Sequence, residues 1–322
     1  MNKSTKIWII TAVLLLLIGC MMFGGVMSML QWDFTKLSTV SYETNRYEPN
    51  GDYKSISIVT DTANIEFLPA QDEMASVVCY EQKNATHSVT VKDDTLMIEL
   101  VDTRKWYERI GLSFQNAKIT LSLPQKEFDT LTVKVNTGDV NMPEDFRFRQ
   151  SDVKTDTGRI SWRGAVSESL ALRTTTGDIR LDKVNAGAIR LSATTGAILA
   201  NQVVSEKDCT LKATTGRIEL SDFSCNSLTA INNTGRIILK DTVAADRLAI
   251  ENSTGSILFD RADAASITAQ TNTGRISGTL RSEKVFIAET STGKIRVPKT
   301  VSGGRCELST GTGNIEIDIL EK

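Results

Sequence analysis

Basic residues recur at one position of a repeated motif in this sequence and could bind an anion together. Each follows the glycine of a Thr-Gly pair by one residue: Arg159, Arg217, Arg236, Arg275 and Lys294, with Arg180 and Arg296 two positions further along in their repeats. Guanidinium and ammonium groups attract phosphate and carboxylate groups, so a row of them would suit anionic wall polymers or membrane headgroups. Charged side chains also keep any exposed sheet soluble, and ordinary solvated surface is the alternative interpretation.

The sequence offers no comparable set of residues for catalysis. His87 is the only histidine, which argues against a histidine-rich metal site and against a Ser-His or Cys-His nucleophile. It stands beside a turn, where we expect a solvated side chain. Enzymes that cleave polysaccharides need converging carboxylates, but Asp139 and Asp178 are separated by Arg159 in the repeat. We therefore predict no enzymatic activity, no cofactor and no metal site.

The overall charge also restricts the class of partner. The formal net charge is −2, from 37 basic and 39 acidic residues. Nucleic-acid-binding proteins usually carry a marked excess of Lys and Arg. No nucleic-acid partner is expected.

The cysteines are expected to be structural. Cys209 and Cys306 stand at a repeat position that is otherwise Leu, Ile or Phe, where a thiol packs as a small apolar group. Several repeats separate the two, and a disulfide needs Cα atoms within about 7 Å. We predict no disulfide framework for these residues or for Cys79 and Cys225.

Ten Thr-Gly pairs indicate the architecture. A unit of 19 or 20 residues cannot bury an apolar face alone, so neighbouring units must stack into a solenoid. Apolar and polar residues alternate on both sides of each glycine, which is the period of a strand. The phase of this alternation changes at the glycine, so we expect a corner there that requires positive φ. The corner glycines are Gly138, Gly158, Gly177, Gly196, Gly216, Gly235, Gly255, Gly274, Gly293 and Gly313.

The chain is thus predicted to be all-β, a parallel β-helix (β-solenoid) of about ten coils. Residues 1–34 are expected to form an N-terminal membrane anchor, 35–45 a linker, 46–130 a β-rich cap and 131–322 the solenoid. The cap would cover the first coil, whose open edge would otherwise pair with another chain. At the far end, the charged strand from Asn314 to Leu320 is expected to be a weaker cap, leaving that end open to contacts.

The N-terminal segment indicates the compartment. From Ile7 to Leu30 there are 24 residues without a charge, enough for one transmembrane helix. Lys3 and Lys6 precede this run, which predicts a cytoplasmic N-terminus and extracytoplasmic residues 35–322 in a bacterial cell membrane. An uncleaved signal anchor is the favoured interpretation. The alternatives are a lipoprotein anchored at Cys20, where Leu17 to Cys20 resemble a lipobox, and a cleaved secretory signal.

The repeat strings also carry a family resemblance. NTGDV at 136–140, DTGRI at 156–160, TTGDI at 175–179 and NTGRI at 272–276 resemble the bacterial "putative adhesin" family of unknown function, over roughly residues 55–319. The resemblance implies a membrane-tethered extracytoplasmic repeat protein, a kind often associated with cell-envelope stress. It brings no catalytic residues. The chain departs from the repeat at Ala197 and at Gly278, where we expect only local changes in packing.

These observations favour a non-enzymatic, membrane-anchored β-solenoid that serves as an adhesin-like or cell-envelope interaction surface. Its expected partners are the membrane, through the single helix, and a cell-wall polymer or another envelope protein. One alternative is a carbohydrate-active β-helix enzyme that acts on wall polysaccharide. The other is an accessory regulator of a membrane sensor.

Overall fold

The N-terminal segment is a single apolar helix. The computed structural model describes residues 2–33, 40–71, 74–106 and 115–320. Helix α1 spans Lys3–Met29, and its stretch Ser4–Met29 is long and apolar enough to cross a membrane. A membrane anchor and a signal sequence share these properties. Phe34 and much of the expected linker lie outside the described residues.

The rest of the described chain is almost entirely β-structure, which confirms the predicted all-β solenoid. In chain order its strands are β1 Tyr42–Tyr47, β2 Ser55–Thr62, β3 Asn64–Pro69, β4 Ser76–Gln82, β5 Ala85–Lys92, β6 Thr95–Asp102, β7 Lys118–Leu123, β8 Glu127–Thr137, β9 Val140–Met142, β10 Arg147–Thr157, β11 Ile160–Trp162, β12 Ala165–Thr176, β13 Ile179–Asp182, β14 Asn185–Thr195, β15 Ile198–Ser205, β16 Cys209–Thr215, β17 Ile218–Thr234, β18 Ile237–Thr254, β19 Ile257–Thr273, β20 Ile276–Leu280, β21 Lys284–Thr292, β22 Ile295–Arg296, β23 Gly304–Thr312 and β24 Ile315–Ile319.

Each coil consists of a strand before the corner glycine and a strand after it, both paired in parallel with the neighbouring coils. The register keeps equivalent repeat positions opposite each other, so that Leu172 pairs with Leu191 and Leu191 with Leu211. A second bend lies six residues after the glycine, where Asp222 and Asp241 adopt φ values of 50° and 46°. Asp tolerates this left-handed conformation better than most residues.

The apolar columns predicted from the sequence form one continuous core. The isoleucine two residues after each corner glycine is buried in eight coils: Ile160, Ile179, Ile198, Ile218, Ile237, Ile257, Ile276 and Ile315. The core continues into the N-terminal region through Phe67, Leu96 and Leu121. Hydrophobic burial therefore runs along the whole rod, as a solenoid requires.

The corner glycines are needed because successive coils nearly touch there. Gly216 has a φ of 149°, and a Cβ atom on it would lie 2.0 Å from the carbonyl oxygen of Gly196. No real Cβ atom tolerates a backbone contact that short. Glycine is thus required at this corner both for its conformation and for the space it leaves.

An additional coil lies within the segment that we expected to be only a cap. Strands β2 and β3 pair in parallel with β8 and β9, so that Thr62 lies opposite Thr137 and Ile65 opposite Val140. The corner residue of this coil is Ala63, whose carbonyl oxygen lies 1.9 Å from the position of a Cβ on Gly138. The string Asp-Thr-Ala-Asn-Ile at 61–65 is therefore a repeat with Ala in place of Gly, separated from the next by an insertion.

The inserted strands close the N-terminal end of the rod. Strands β6 and β7 pair in parallel with β2 and β3, and they carry β5 and β4 as antiparallel neighbours. Strand β1 then pairs antiparallel with β4. The change from parallel to antiparallel pairing ends the solenoid here.

At the far end, the last two coils stack in the reverse of their chain order. The C-terminal strands β23 and β24 lie between β19–β20 on one side and β21–β22 on the other. The expected position of Asn314–Leu320 at the end of the rod was therefore wrong, because β24 is an inner strand. Pro298 lies two residues after the end of β22 and lacks the N–H group that an inner strand would use, which suits an edge. Gly304 lets the returning chain pass close to Ala265.

Replacing Gly216 by Ala should strongly destabilise the rod. The substitution strains a positive φ and forces a methyl group against the Gly196 carbonyl, which together cost roughly 2 to 6 kcal/mol. We expect a lower midpoint of thermal unfolding, measured by circular dichroism on the full chain in detergent micelles. The neighbouring exposed residue gives the control: Thr215→Ala should change stability by no more than about 0.5 kcal/mol. An unchanged midpoint for Gly216→Ala would refute the corner constraint.

Candidate functional site

The candidate site is the corner ridge, which we define as each corner glycine with the residue on either side. The residue before the glycine is an exposed threonine in all ten repeats: Thr137, Thr157, Thr176, Thr195, Thr215, Thr234, Thr254, Thr273, Thr292 and Thr312. Their carbonyl groups accept hydrogen bonds from the glycine N–H of an adjacent coil, as in Gly216 N–H to Thr234 O at 2.9 Å. Their hydroxyl groups make no hydrogen bond within the described residues. The ridge thus presents hydroxyl groups at the coil spacing of about 4.8 Å.

The five predicted basic residues are all exposed on this ridge. Arg217 and Arg236 lie on adjacent coils, joined by the bond from Ile218 N–H to Arg236 O at 3.0 Å. Arg217 pairs with Glu219 at 3.3 Å. Among the described residues the others have no ion-pair partner, and these are Arg159, Arg236, Arg275 and Lys294.

The structure divides the predicted row into shorter pieces. Ser256 lies between Arg236 and Arg275, and the reversed order of the last coils places Asn314 between Arg275 and Lys294. The densest basic group therefore consists of Arg217, Arg236 and Arg275. Arg159 and Lys294 lie apart from this group, one on each side of it along the rod.

The acidic residues of the ridge hold the coils together. The Asp139 carboxylate accepts the N–H of Arg159 at 2.7 Å, and that of Asp178 accepts the N–H of Ala197 at 3.0 Å. The hydrogen bond from the N–H of Ala197 is the main cause that lowers the pKa of Asp178, and the Arg180 side chain lowers it further. These aspartates are engaged by backbone groups, and among the described residues Arg159, Arg236, Arg275 and Lys294 are basic residues of the ridge without an ion-pair partner.

Inside the corner, a polar column satisfies the glycine carbonyl groups. In seven of the ten repeats, the residue three before the glycine donates to the carbonyl of the adjacent coil's glycine, as from Thr174 Oγ1 to Gly158 O at 3.1 Å and from Asn252 Nδ2 to Gly235 O at 2.9 Å. Val135, Ala193 and Ala213 stand at this position in the other three and cannot make this bond. Asn232 and Asn252 make it but leave their Oδ1 atoms buried without a partner. Threonine is thus the best match for the position.

His87 is buried, so the expectation of a solvated side chain was wrong. Its Nε2 lies 2.8 Å from Thr60 Oγ1, and its Nδ1 lies 2.6 Å from Glu81 Oε2. Thr60 occupies the polar column position of the Ala63 coil. Among the described residues, no coil with a glycine carbonyl lies beyond Thr60, so the His87 ring is the hydrogen-bond partner of the Thr60 hydroxyl instead. The network terminates the polar column at the N-terminal end.

This network has the atoms of a catalytic relay but not its exposure. The hydroxyl, imidazole and carboxylate are arranged as in nucleophilic catalysis, yet Thr60, Glu81 and His87 are 6%, 1% and 4% exposed. Both Glu81 oxygens accept further bonds, from the His87 N–H at 2.8 Å and from Asn45 Nδ2 at 2.8 Å. A buried network whose members are hydrogen-bonded in this way stabilises the fold.

Cys79 adjoins the same network without completing a metal site. Its sulfur and the nearest ligand atoms of Glu81 and His87 lie within 4.8 Å of one another. Burial, reinforced by the Glu81 charge, raises the pKa of the Cys79 thiol to about 12. A protonated thiol beside carboxylate and imidazole groups that already have hydrogen-bond partners is a poor ligand set.

Two further buried thiols are in contact. Cys209 and Cys225 are hydrogen-bonded to each other, and that bond together with burial raises the pKa of Cys225. All five cysteines are free, and among them only Cys20 is exposed. The buried thiols pack as small apolar groups in the core.

A protein-family model agrees with this architecture. The family model described as Toastrack DUF4097 matches residues 53–318. No curated protein matches the chain in sequence.

Solved structures of similar proteins were also found. A "putative adhesin" from Parabacteroides distasonis is 13% identical, with 87% of this chain and 98% of that chain covered and a TM-score of 0.49. A "putative adhesin" from Bacteroides fragilis is 17% identical, with 86% and 97% covered and a TM-score of 0.41. A "putative lipid binding protein" from Parabacteroides distasonis is 14% identical, with 87% and 98% covered and a TM-score of 0.45.

Restoring the missing donor of the polar column should stabilise the rod. In the variant Ala213→Thr, the new hydroxyl can reach the Gly196 carbonyl, a gain of about 0.5 to 1.5 kcal/mol. Ala213→Val is the matched control, because it adds similar volume without a donor and should not gain this amount. Chemical unfolding of the full chain measures both. Equal stability of the Thr and Val variants would show that the hydrogen bond contributes nothing.

Removing the His87 ring should weaken the N-terminal end of the rod. The variant His87→Ala removes the ring nitrogen Nδ1 beside the buried Glu81 carboxylate and the Nε2 partner of the Thr60 hydroxyl, which costs on the order of 3 kcal/mol. A solvated histidine would instead give a change within about 0.5 kcal/mol. Urea unfolding of the full chain distinguishes these outcomes. A small change in the free energy of unfolding would contradict the buried role of His87.

Proposed function

We propose that this chain, which belongs to the Toastrack DUF4097 family, is a membrane-anchored surface that binds an anionic polymer of the cell envelope along its corner ridge. The polymer would carry phosphate or carboxylate groups, and the binding involves no chemical conversion. The carrying observation is the basic group from Arg217 to Arg275 beside a continuous row of exposed threonines.

Helix α1 supports the membrane anchor. Its apolar stretch has a length that matches the bilayer core, and the preceding lysines favour a cytoplasmic N-terminus. The β-rod then lies outside the membrane, where envelope polymers and lipid headgroups are its neighbours. A mature N-terminus at Cys20 that carries lipid would instead support the lipoprotein alternative, with the rod on the same side.

The spacing of the ridge suits a repeating ligand. Adjacent coils place charges and hydroxyl groups about 4.8 Å apart, so one extended chain can contact several coils at once. Each exposed ion pair contributes little by itself, about 0.2 to 1 kcal/mol. Affinity would come from several weak contacts made together and would fall steeply with salt.

The polar groups of the molecule favour binding over catalysis. The hydroxyl-imidazole-carboxylate network is enclosed, and the ridge aspartates are bonded to backbone N–H groups. A carbohydrate-active enzyme would need paired carboxylates in a groove. Regulation of a membrane sensor remains the second candidate, and crosslinking of α1 to a neighbouring membrane helix in the native envelope would favour it.

Removing four ridge charges should weaken polymer binding while preserving the fold. The variant carries Ser at Arg217, Arg236, Arg275 and Lys294. We expect the affinity of the full chain in neutral micelles for polyphosphate, a model anionic polymer, to fall at least about tenfold at low salt. Fluorescence anisotropy of labelled polyphosphate measures this. At about 1 M salt, where charges act over only about 3 Å, both proteins should bind weakly.

A matched control separates the ridge from net charge. Four exposed basic residues on the sheet face before the corner also lack ion pairs among the described residues: Lys134, Arg190, Lys212 and Arg247. Replacing these four by Ser changes the net charge equally and should retain binding. An equal loss of affinity in the two variants would show that polyphosphate is attracted by net charge and not by the ridge. Equal affinity of the ridge variant and the unmodified chain would exclude the ridge as the binding site.

A further inference from the structure

The two ends of the rod differ in how they are covered. At the N-terminal end, antiparallel strands and the Glu81–His87 network close the last parallel coil. At the far end, within the part of the chain that the structure describes, β21 pairs only with β23 and β22 only with β24. The outer edges of β21 and β22 therefore present unpaired backbone N–H and C=O groups.

The core is also open at this end. Ile295 stands in the column where the isoleucines of inner coils are buried, yet it is 45% exposed. Phe286 and Ala288 are only half-buried, whereas their equivalents in the adjacent coil, Cys306 and Leu308, are 0% and 1% exposed. An apolar surface of this kind beside a free sheet edge favours association with another β-structure.

The charges of the terminal coil are separated between its two strands. Exposed Glu289 lies on β21, while Lys294, Arg296 and Lys299 lie on and beside β22. Lys284 at the start of β21 is buried and paired with Asp263 at 2.6 Å, so it does not offset Glu289. Arg296 lies 3.3 Å from Asp318 of β24, but both side chains are exposed, and Lys294 and Lys299 keep a basic excess beside β22. One edge of the coil thus carries an acidic residue and the other a basic excess.

We propose that this end binds a second copy of the chain, head to head about a two-fold axis, with β21 antiparallel to β22 of the other copy. The alternative of β21 against β21 and β22 against β22 would bring Glu289 towards itself and the basic residues towards each other, which is unfavourable. Crossing the strands pairs opposite charges twice, once for each symmetry-related contact.

The register of the pairing follows from the repeat. With the two corners aligned and inward side chains facing a common core, Glu289 lies opposite Arg296 of the second copy. Ala288 then lies opposite Val297, so the half-buried apolar side chains of both coils cover each other. Pro298 limits the number of backbone bonds, which makes this a reversible contact.

The proposed contact joins the two C-terminal ends of the rods, which lie opposite the end where α1 is attached. The chain enters the rod through the N-terminal strands, so α1 attaches at the covered end. The corner ridge is not part of the proposed interface, apart from Lys294 at its far end. The dimer is therefore tested at Glu289, Arg296 and Ile287, which the ridge variant does not change.

A charge-exchange experiment tests the proposal on the full chain in detergent micelles. Sedimentation velocity from about 1 to 100 µM should show a monomer–dimer equilibrium. The variants Glu289→Arg and Arg296→Glu should each weaken the dimer about tenfold, because each makes two like-charge contacts per dimer. Combining both substitutions in one chain restores opposite charges and should restore the dimer.

A second pair of variants tests the sheet edge itself. Ile287→Lys places a charge on the outer face of β21, where residue 287 is 43% exposed, and should dissociate the dimer. Val204→Lys is the control at a 51% exposed position elsewhere on the rod and should have no effect. Thermal unfolding confirms that all variants are folded. A monomer at every concentration, a dimer that ignores the charge variants because it forms through α1, or a terminal coil that binds only another protein would overturn the proposal.

Discussion

The structure depends on the close approach of one coil to the next at the corner glycine. The space there is so small that a Cβ atom on Gly216 would overlap the Gly196 carbonyl oxygen. This contact sets which residues of adjacent coils stand opposite each other, because the corners must coincide for the backbone bonds on either side to form. Once the corners coincide, every other repeat position also forms a column. The apolar core, the polar column and the exposed ridge are all consequences of that register.

The same register explains why this architecture favours binding over catalysis. Catalysis brings different residues together at one point, whereas a solenoid repeats similar residues along a line. The place where unlike groups do converge, around Thr60, Glu81 and His87, is where the repeat ends and is enclosed. The outer surface instead offers equivalent weak contacts at constant spacing, which suits a ligand that is itself repetitive.

The sequence predicted the features that recur and missed those that occur once. Ten glycines at near-constant spacing were sufficient for the fold class, the buried isoleucine column and the exposure of Arg217 and Arg236. The Ala63 coil was not predicted because Ala replaces the glycine that defines the repeat, although Thr62, Asn64 and Ile65 keep the residue types of the other corners. His87 could not be placed, since its burial depends on strands that meet only through long-range pairing. The position of β24 was missed because neighbouring repeats are nearly equivalent, and only Pro298 and the glycines at 303–304 distinguish them.

The near equivalence of the repeats also explains why the C-terminal end of the rod keeps a free strand edge. A coil can pair on either edge, so every solenoid end retains the capacity to add another strand unless the chain itself blocks it. This chain blocks its N-terminal end with antiparallel strands and a buried hydrogen-bond network. At the other end it inserts its last repeat and leaves the preceding one outside, where Pro298 reduces the donor groups of one edge while Phe286 and Ile295 stay partly uncovered. An edge with few donors but an apolar interior and separated charges disfavours indefinite stacking, and it permits association with a surface that supplies the complementary charges.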